Sequence, residues 1–100
     1  MDDRDKVFKL IRENYDYLST EFGVKKIGLF GSTAKGTATK ESDVDIFIEF
    51  NRPIGFKFVR LVNFLEELLG EEVDVITKDG LNNIRIKRVA DDIKASLVYV

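Results

Sequence analysis

Between residues 4 and 22 the apolar positions Val7, Leu10, Ile11, Tyr15, Leu18 and Phe22 recur at spacings of three and four. That period predicts one amphipathic helix, which Gly23 ends. Val24 to Phe30 reads as a strand with Ile27 and Leu29 on a single face, and it runs directly into Gly31 and Ser32. Small, polar and glycine residues fill the stretch from Gly31 to Ser42, which predicts a loop with one short helical turn after Ser32. From Asp43 to Phe50 the alternation is strict: Val44, Ile46 and Ile48 point one way, and Asp43, Asp45, Phe47 and Glu49 the other. Asn51-Arg52-Pro53 makes a turn, and Phe58, Leu61, Val62, Leu65, Leu68 and Leu69 then mark a second amphipathic helix ended by Gly70. Val73 to Thr77 is β-branched and carries Asp74 between two valines, so it reads as a third strand. Lys78-Asp79-Gly80 reads as a turn, roughly 82–95 as a weak helix through Ile84, Val89 and Ile93, and Leu97 to Val100 as an apolar tail.

Helix, strand, loop, strand, helix, strand, helix is an α/β (α+β) order. It predicts a small mixed sheet of three or four strands with helices packed mainly on one face. The other face is then open near Asp43, Asp45 and Asp74. A chain of 100 residues is expected to form one domain, spanning 1–100, around one core.

Composition narrows the chemistry. Apolar residues at 44% and charged residues at 34% suit a soluble globular chain and argue against disorder. With a net charge of −2 and a pI near 5.2, no global positive field draws in a nucleic-acid backbone or an anionic membrane. Direct nucleic-acid binding is therefore not expected, and any polyanion must be met locally. Cysteine and histidine are both absent, which excludes disulfides, thiolate metal sites, cysteine nucleophiles and the commonest general base. Catalysis must rely on carboxylates, hydroxyls, lysine or arginine. The N-terminus lacks a signal peptide's apolar stretch and no apolar run approaches a membrane span, so the expected location is the cytoplasm, away from membranes.

The aspartates carry the site. Asp43 and Asp45 stand two apart on one strand face, about 6 to 7 Å apart at the backbone, close enough for both carboxylates to reach one divalent ion. Two like charges at that distance repel, and a hard cation such as Mg²⁺ resolves the repulsion. Asp74 lies among apolar residues in a strand expected to neighbour this one, where burial of an unpaired carboxylate is costly, so a shared metal accounts for it. Paired aspartates alone read as a solvated strand start; their combination with Asp74 and Gly31-Ser32 turns the reading toward a metal site. At Gly31 and Ser32 a glycine allows close approach to the backbone, a hydroxyl donates, and N–H groups at a helical turn favour anions: a phosphate cradle. Lys35 adds a point cation toward phosphate. Glu49, although on the same face, reads as a solvated edge residue.

Gly31-Ser32, ten intervening residues and then Asp43-Val44-Asp45, with Asp74 as a later third carboxylate, resembles the signature of the DNA polymerase β-like nucleotidyltransferase superfamily. Gly-Leu-Phe-Gly-Ser-Thr-Ala-Lys-Gly over 28–36 and Glu-Ser-Asp-Val-Asp over 41–45 are similar to the minimal nucleotidyltransferases, the MNT group. The resemblance extends from the first helix through Val-Asp-Val-Ile-Thr at 73–77. It implies that Asp43 and Asp45 ligate the catalytic metal. Asp74 completes the site, as a ligand of a second Mg²⁺ or as base toward the acceptor hydroxyl, and Gly31 and Ser32 hold the β and γ phosphates of ATP. The family usually has arginine at the position of Lys35, so an ionic contact replaces a bidentate one.

The resemblance also implies a partner. Members of the MNT group are often antitoxins that accompany a HEPN-type toxin, and some transfer AMP to a tyrosine of it. A chain this short has no room for an acceptor-binding domain, so a second copy or a different protein is expected to supply that surface, with Leu97 to Val100 as a contact. Two alternatives stand beside this reading: an antitoxin that neutralises its partner by occlusion, and a subunit of a small-molecule nucleotidyltransferase.

Overall fold

A computed structural model describes residues 3–36 and 43–100. Along the chain lie α1 (Asp3–Glu13), α2 (Tyr15–Phe22), β1 (Val24–Leu29), α3 (Gly31–Lys35), β2 (Val44–Phe50), α4 (Lys57–Leu69), β3 (Val73–Thr77), α5 (Lys78–Asn82), α6 (Lys87–Ser96) and β4 (Val98–Tyr99). The sheet order is β3-β2-β1-β4. β1 runs antiparallel to both β2 and β4, while β2 and β3 are parallel, so the sheet is mixed as expected. Parallel neighbours need a crossover, and α4 provides it.

The alternation along β2 sorts the two faces. Val44, Ile46 and Ile48 are buried with Ile27 and Leu29 of β1 against Ile11, Leu18 and Phe22 from α1 and α2 and Leu61, Leu65 and Leu69 from α4. The three leucines, four apart, form one stripe of α4. Truncating a residue such as Leu65 to alanine costs about 2–5 kcal/mol in a site of this kind. On the opposite face Phe47 meets Phe30, Leu81 and Ala90, with Ile76, Ile84, Ile93 and Leu97 packed around them. The main helical layer thus lies on one face, but the other is not bare: α5 and α6 cover it over Phe47 and Ile76.

Three local expectations are corrected. The helix expected over 4–22 is two helices, because Asn14 competes with its own backbone. Its side-chain amide donates to the Leu10 carbonyl at 2.8 Å while its backbone N–H turns back to Ile11 O at 3.1 Å. Lys78-Asp79-Gly80 is the first turn of α5, not a free turn; the Thr77 hydroxyl caps it by accepting the Gly80 N–H at 3.0 Å. The apolar tail forms strand β4, which pairs Val98 and Tyr99 with Leu29 and Gly28. A side chain at Gly28 would put its first carbon 2.7 Å from the Val98 carbonyl oxygen, so glycine there admits the last strand. Val98 and Tyr99 remain exposed. The part of the expected loop over 37–42 lies outside the described residues.

Candidate active site

β1 hands the chain to the site. Phe30 is extended, with its ring buried in the second core, and its N–H donates to the Asp45 carbonyl at 3.2 Å. Gly31 then adopts φ +60°, a left-handed conformation unfavourable for residues with a side chain, and opens α3 two residues earlier than expected. A carbon added at Gly31 would lie 2.7 Å from Asp45 Oδ2. The two halves of the motif therefore meet in close contact, where a side chain at position 31 would displace the Asp45 carboxylate. Ser32 follows, half-buried; Thr33 and Ala34 are buried beneath it. Lys35 is exposed in the last turn of α3, and no ion pair joins it to another described residue.

The acidic side is set by strand register. Val44 N–H donates to Glu72 O at 2.9 Å, which opens the parallel pairing and brings Asp45 opposite Asp74. Adjacent strands lie about 4.8 Å apart, and residues in register point to the same side. Asp43, just ahead of β2, follows the same alternation. The three carboxylates thus belong to one sheet face, at the end where β1 stops. Asp45 is half-buried, Asp43 and Asp74 exposed. The expectation that Asp74 is a buried carboxylate is corrected: β3 is an edge strand, and the partly buried acid is Asp45.

Electrostatics mark Asp45 as the strained member. Burial pushes its carboxyl above the ordinary 3.8, and the nearby charges of Asp74 and Asp43 push the same way. A partly desolvated acid facing two like charges, with oxygen the only donor type, suits a hard divalent cation. Among the described residues no three acidic side chains stand close enough to enclose an ion as they are. Asp43 and Asp74, being exposed, can change rotamer at little cost.

Two features escaped the sequence reading. Thr33 Oγ1 accepts the Asp45 N–H at 2.9 Å, and Ser96 Oγ of α6 accepts the Gly31 N–H at 2.9 Å. Their only signal was a threonine beside Gly31-Ser32. Glu49 is not a solvated edge residue either, because β2 is interior to the sheet. Its side chain is 13% exposed and lies 2.7 Å from Lys78 Nζ, with Lys25 Nζ at 4.0 Å. The hydrogen bond from Lys78 holds its carboxyl below the ordinary 4.5, against an opposing effect of burial.

A mixed sheet whose first hairpin holds a glycine turn against paired aspartates defines a nucleotide-transfer class of fold. The nucleotidyltransferase domain family matches residues 11–100, and the chain belongs to that family, among its minimal members. A Methanocaldococcus jannaschii protein provisionally assigned as a protein adenylyltransferase is 38% identical over 98 residues, 95% of each chain. The protein adenylyltransferase MntA of Thermococcus cleftensis is 40% identical over 84 residues, 83% of this chain and 81% of MntA. A solved structure described as a candidate minimal nucleotidyltransferase superposes with a TM-score of 0.71 at 27% identity, covering 98% of this chain and 95% of its own. A toxin-antitoxin structure with AMP-PNP shares the fold, with a TM-score of 0.62 at 23% identity over 96% of this chain and 70% of that one. Among the described residues no helix is long and apolar enough to cross a membrane.

Proposed function

We propose that this chain is a Mg²⁺-dependent protein adenylyltransferase that moves AMP from ATP onto a hydroxyl, a tyrosine of a HEPN-type toxin, and so acts as that partner's antitoxin. The observation that carries the reading is the register of Asp45 with Asp74, on the face that also bears Asp43 and abuts Gly31. Relatives named as protein adenylyltransferases support the reaction, and a toxin-antitoxin complex named MntA-HpeT with the same fold supports the setting.

In this reading Asp43, Asp45 and Asp74 would hold two Mg²⁺ ions, which would neutralise phosphate charge. The Gly31-Ser32 turn holds the β and γ phosphates, and Lys35 adds a screened positive charge. The acceptor oxygen bonds to the α-phosphorus as the bond from that phosphorus to the bridging oxygen of pyrophosphate breaks, and pyrophosphate leaves. The hydroxyl proton passes to a carboxylate, for which Asp74, exposed on the edge strand β3, is the candidate. No histidine is needed, because such transfers depend mainly on alignment and charge neutralisation.

Incubation of the chain with α-labelled ATP, Mg²⁺ and a HEPN-type partner tests this. Label is expected on the partner, and alanine at Asp43 or Asp45 is expected to abolish it. Persistent labelling in both variants would remove the assigned metal site. Neutralisation of the toxin that survives Asp43→Ala would favour occlusion instead.

A further inference from the structure

β2 leaves a backbone problem exactly where the site needs order, and two hydroxyls answer it. Successive N–H groups of a strand point to opposite neighbours. Val44 N–H meets Glu72 O on the β3 side, so Asp45 N–H points toward β1, which has by then left the sheet to form α3. No strand carbonyl stands in that position; Thr33 Oγ1 takes the N–H at 2.9 Å. Thr33 is 5% exposed, the one polar or charged side chain buried to that degree among the described residues. With Phe30 N–H on the Asp45 carbonyl at 3.2 Å, the peptide groups flanking Asp45 are gripped on both sides by the segment that contains the glycine turn.

The turn has a second anchor. Ser96 Oγ accepts the Gly31 N–H at 2.9 Å and donates to Ile93 O at 3.1 Å, tying the turn to the end of α6. The Gly31 amide is thereby occupied. Gly31 serves the turn through its conformation and its missing side chain.

We infer that Thr33 is a positioning residue, with Ser96 as its counterpart: the two hydroxyls fix the phosphate-holding turn against the metal-holding Asp45 before any ligand arrives. The inference rests on the reaction proposed above and adds to it a preformed geometry. Displacement of reacting groups by about 1 Å costs on the order of 100-fold in rate, so a hydroxyl that sets this spacing controls turnover without touching the nucleotide.

The test compares Thr33→Val, which keeps the shape and removes the acceptor, with Thr33→Ser, which keeps the acceptor, and with Ser96→Ala. Amide hydrogen exchange of the metal-free protein reads the anchors without any reaction. Exchange at Asp45 is expected to rise at least about tenfold in Thr33→Val and return in Thr33→Ser, and at Gly31 to rise in Ser96→Ala. In the labelling reaction Thr33→Val is expected to lower kcat by about 10- to 100-fold while KM for ATP moves less than about threefold, with Thr33→Ser restoring kcat. Unchanged exchange at Asp45 in Thr33→Val, a Thr33→Ser variant as slow as Thr33→Val, or wild-type kcat despite faster exchange would each overturn the inference. A wild-type chain that transfers nothing would overturn the proposed reaction and with it the kinetic role, while the exchange data would still decide the anchoring geometry.

Discussion

Asp45 and Glu49 stand on one face of β2, with the buried ring of Phe47 between them, yet their surroundings move their proton affinities in opposite directions. Burial, then Asp74 and Asp43, raise the Asp45 carboxyl; the hydrogen bond from Lys78 lowers that of Glu49. One strand therefore carries a site under repulsion at its start and a neutralised ion pair at its end. The first suits binding of a cation, the second holding the sheet together.

The Asp45 shift gives a pH signature to the metal-free protein. A carboxyl raised in the folded state favours folding below its unfolded value near 3.8, and that contribution is lost as pH rises through the raised folded value. Asp45→Asn lacks this loss. In EDTA the variant is expected to melt above wild type at pH 7 and to lose its advantage near pH 3.8, while its transfer activity falls at least about 100-fold. Thermal melts at the two pH values, with labelled-ATP assays, check both parts.

Glu49 carries the opposite sign. Its lowered carboxyl contributes stability that is present above 4.5 and lost as pH falls through the lower folded value. Glu49→Gln is expected to flatten the acid side of the melting profile and leave ATP turnover within about twofold, since Lys78 and Lys25 lie at the far end of the strand from Asp43. Lys78→Met, which leaves the carboxylate with Lys25 at 4.0 Å, is expected to destabilise more than Glu49→Gln does. Melting curves from pH 3 to 7 for the three proteins decide it.

What the residue pattern revealed and what it hid follow from the range of the interactions involved. The alternation over 43–50, the leucine stripe of α4 and the β-branched run at β3 are local signals, and each became the expected element. The acidic face and the glycine turn were legible because the strand period alone aligns Asp43 with Asp45. The break at Asn14 depends on one side chain replacing a backbone donor, which a helical period does not record. α5 was hidden because Gly80 weakens its helical pattern, and β4 because its two residues pair only with a segment distant in sequence, Tyr99 with Gly28. Thr33 and Ser96 acquire roles only once β1 has turned away from β2.

Lys35 separates charge from geometry. It is exposed on α3, and a single solvent-screened charge is worth about 1 kcal/mol, near a fivefold change in an equilibrium. Lys35→Ala is expected to raise KM for ATP by about three- to tenfold with kcat little altered, and Lys35→Arg to match or improve on wild type, because a guanidinium can grip phosphate with two donors. The Lys35→Ala penalty should shrink as salt rises. ATP titrations at low and high ionic strength check this, and a kcat collapse with unchanged KM would assign Lys35 to the transferring phosphate instead.

Gly31 faces two separable constraints, and a double-mutant cycle can resolve them. Its φ of +60° costs an alanine about 1–2 kcal/mol, and the added carbon would also press on Asp45 Oδ2 at 2.7 Å. Gly31→Ala should therefore destabilise by more than the backbone strain alone. In an Asp45→Ala background the carboxylate is gone, so only the backbone part should remain, and the two effects should fail to add by roughly 0.5–3 kcal/mol. Urea unfolding of the four proteins in EDTA measures the difference. Strict additivity would mean that the turn and the carboxylate do not touch, and that the close approach of the two motif halves is not what selects glycine at position 31.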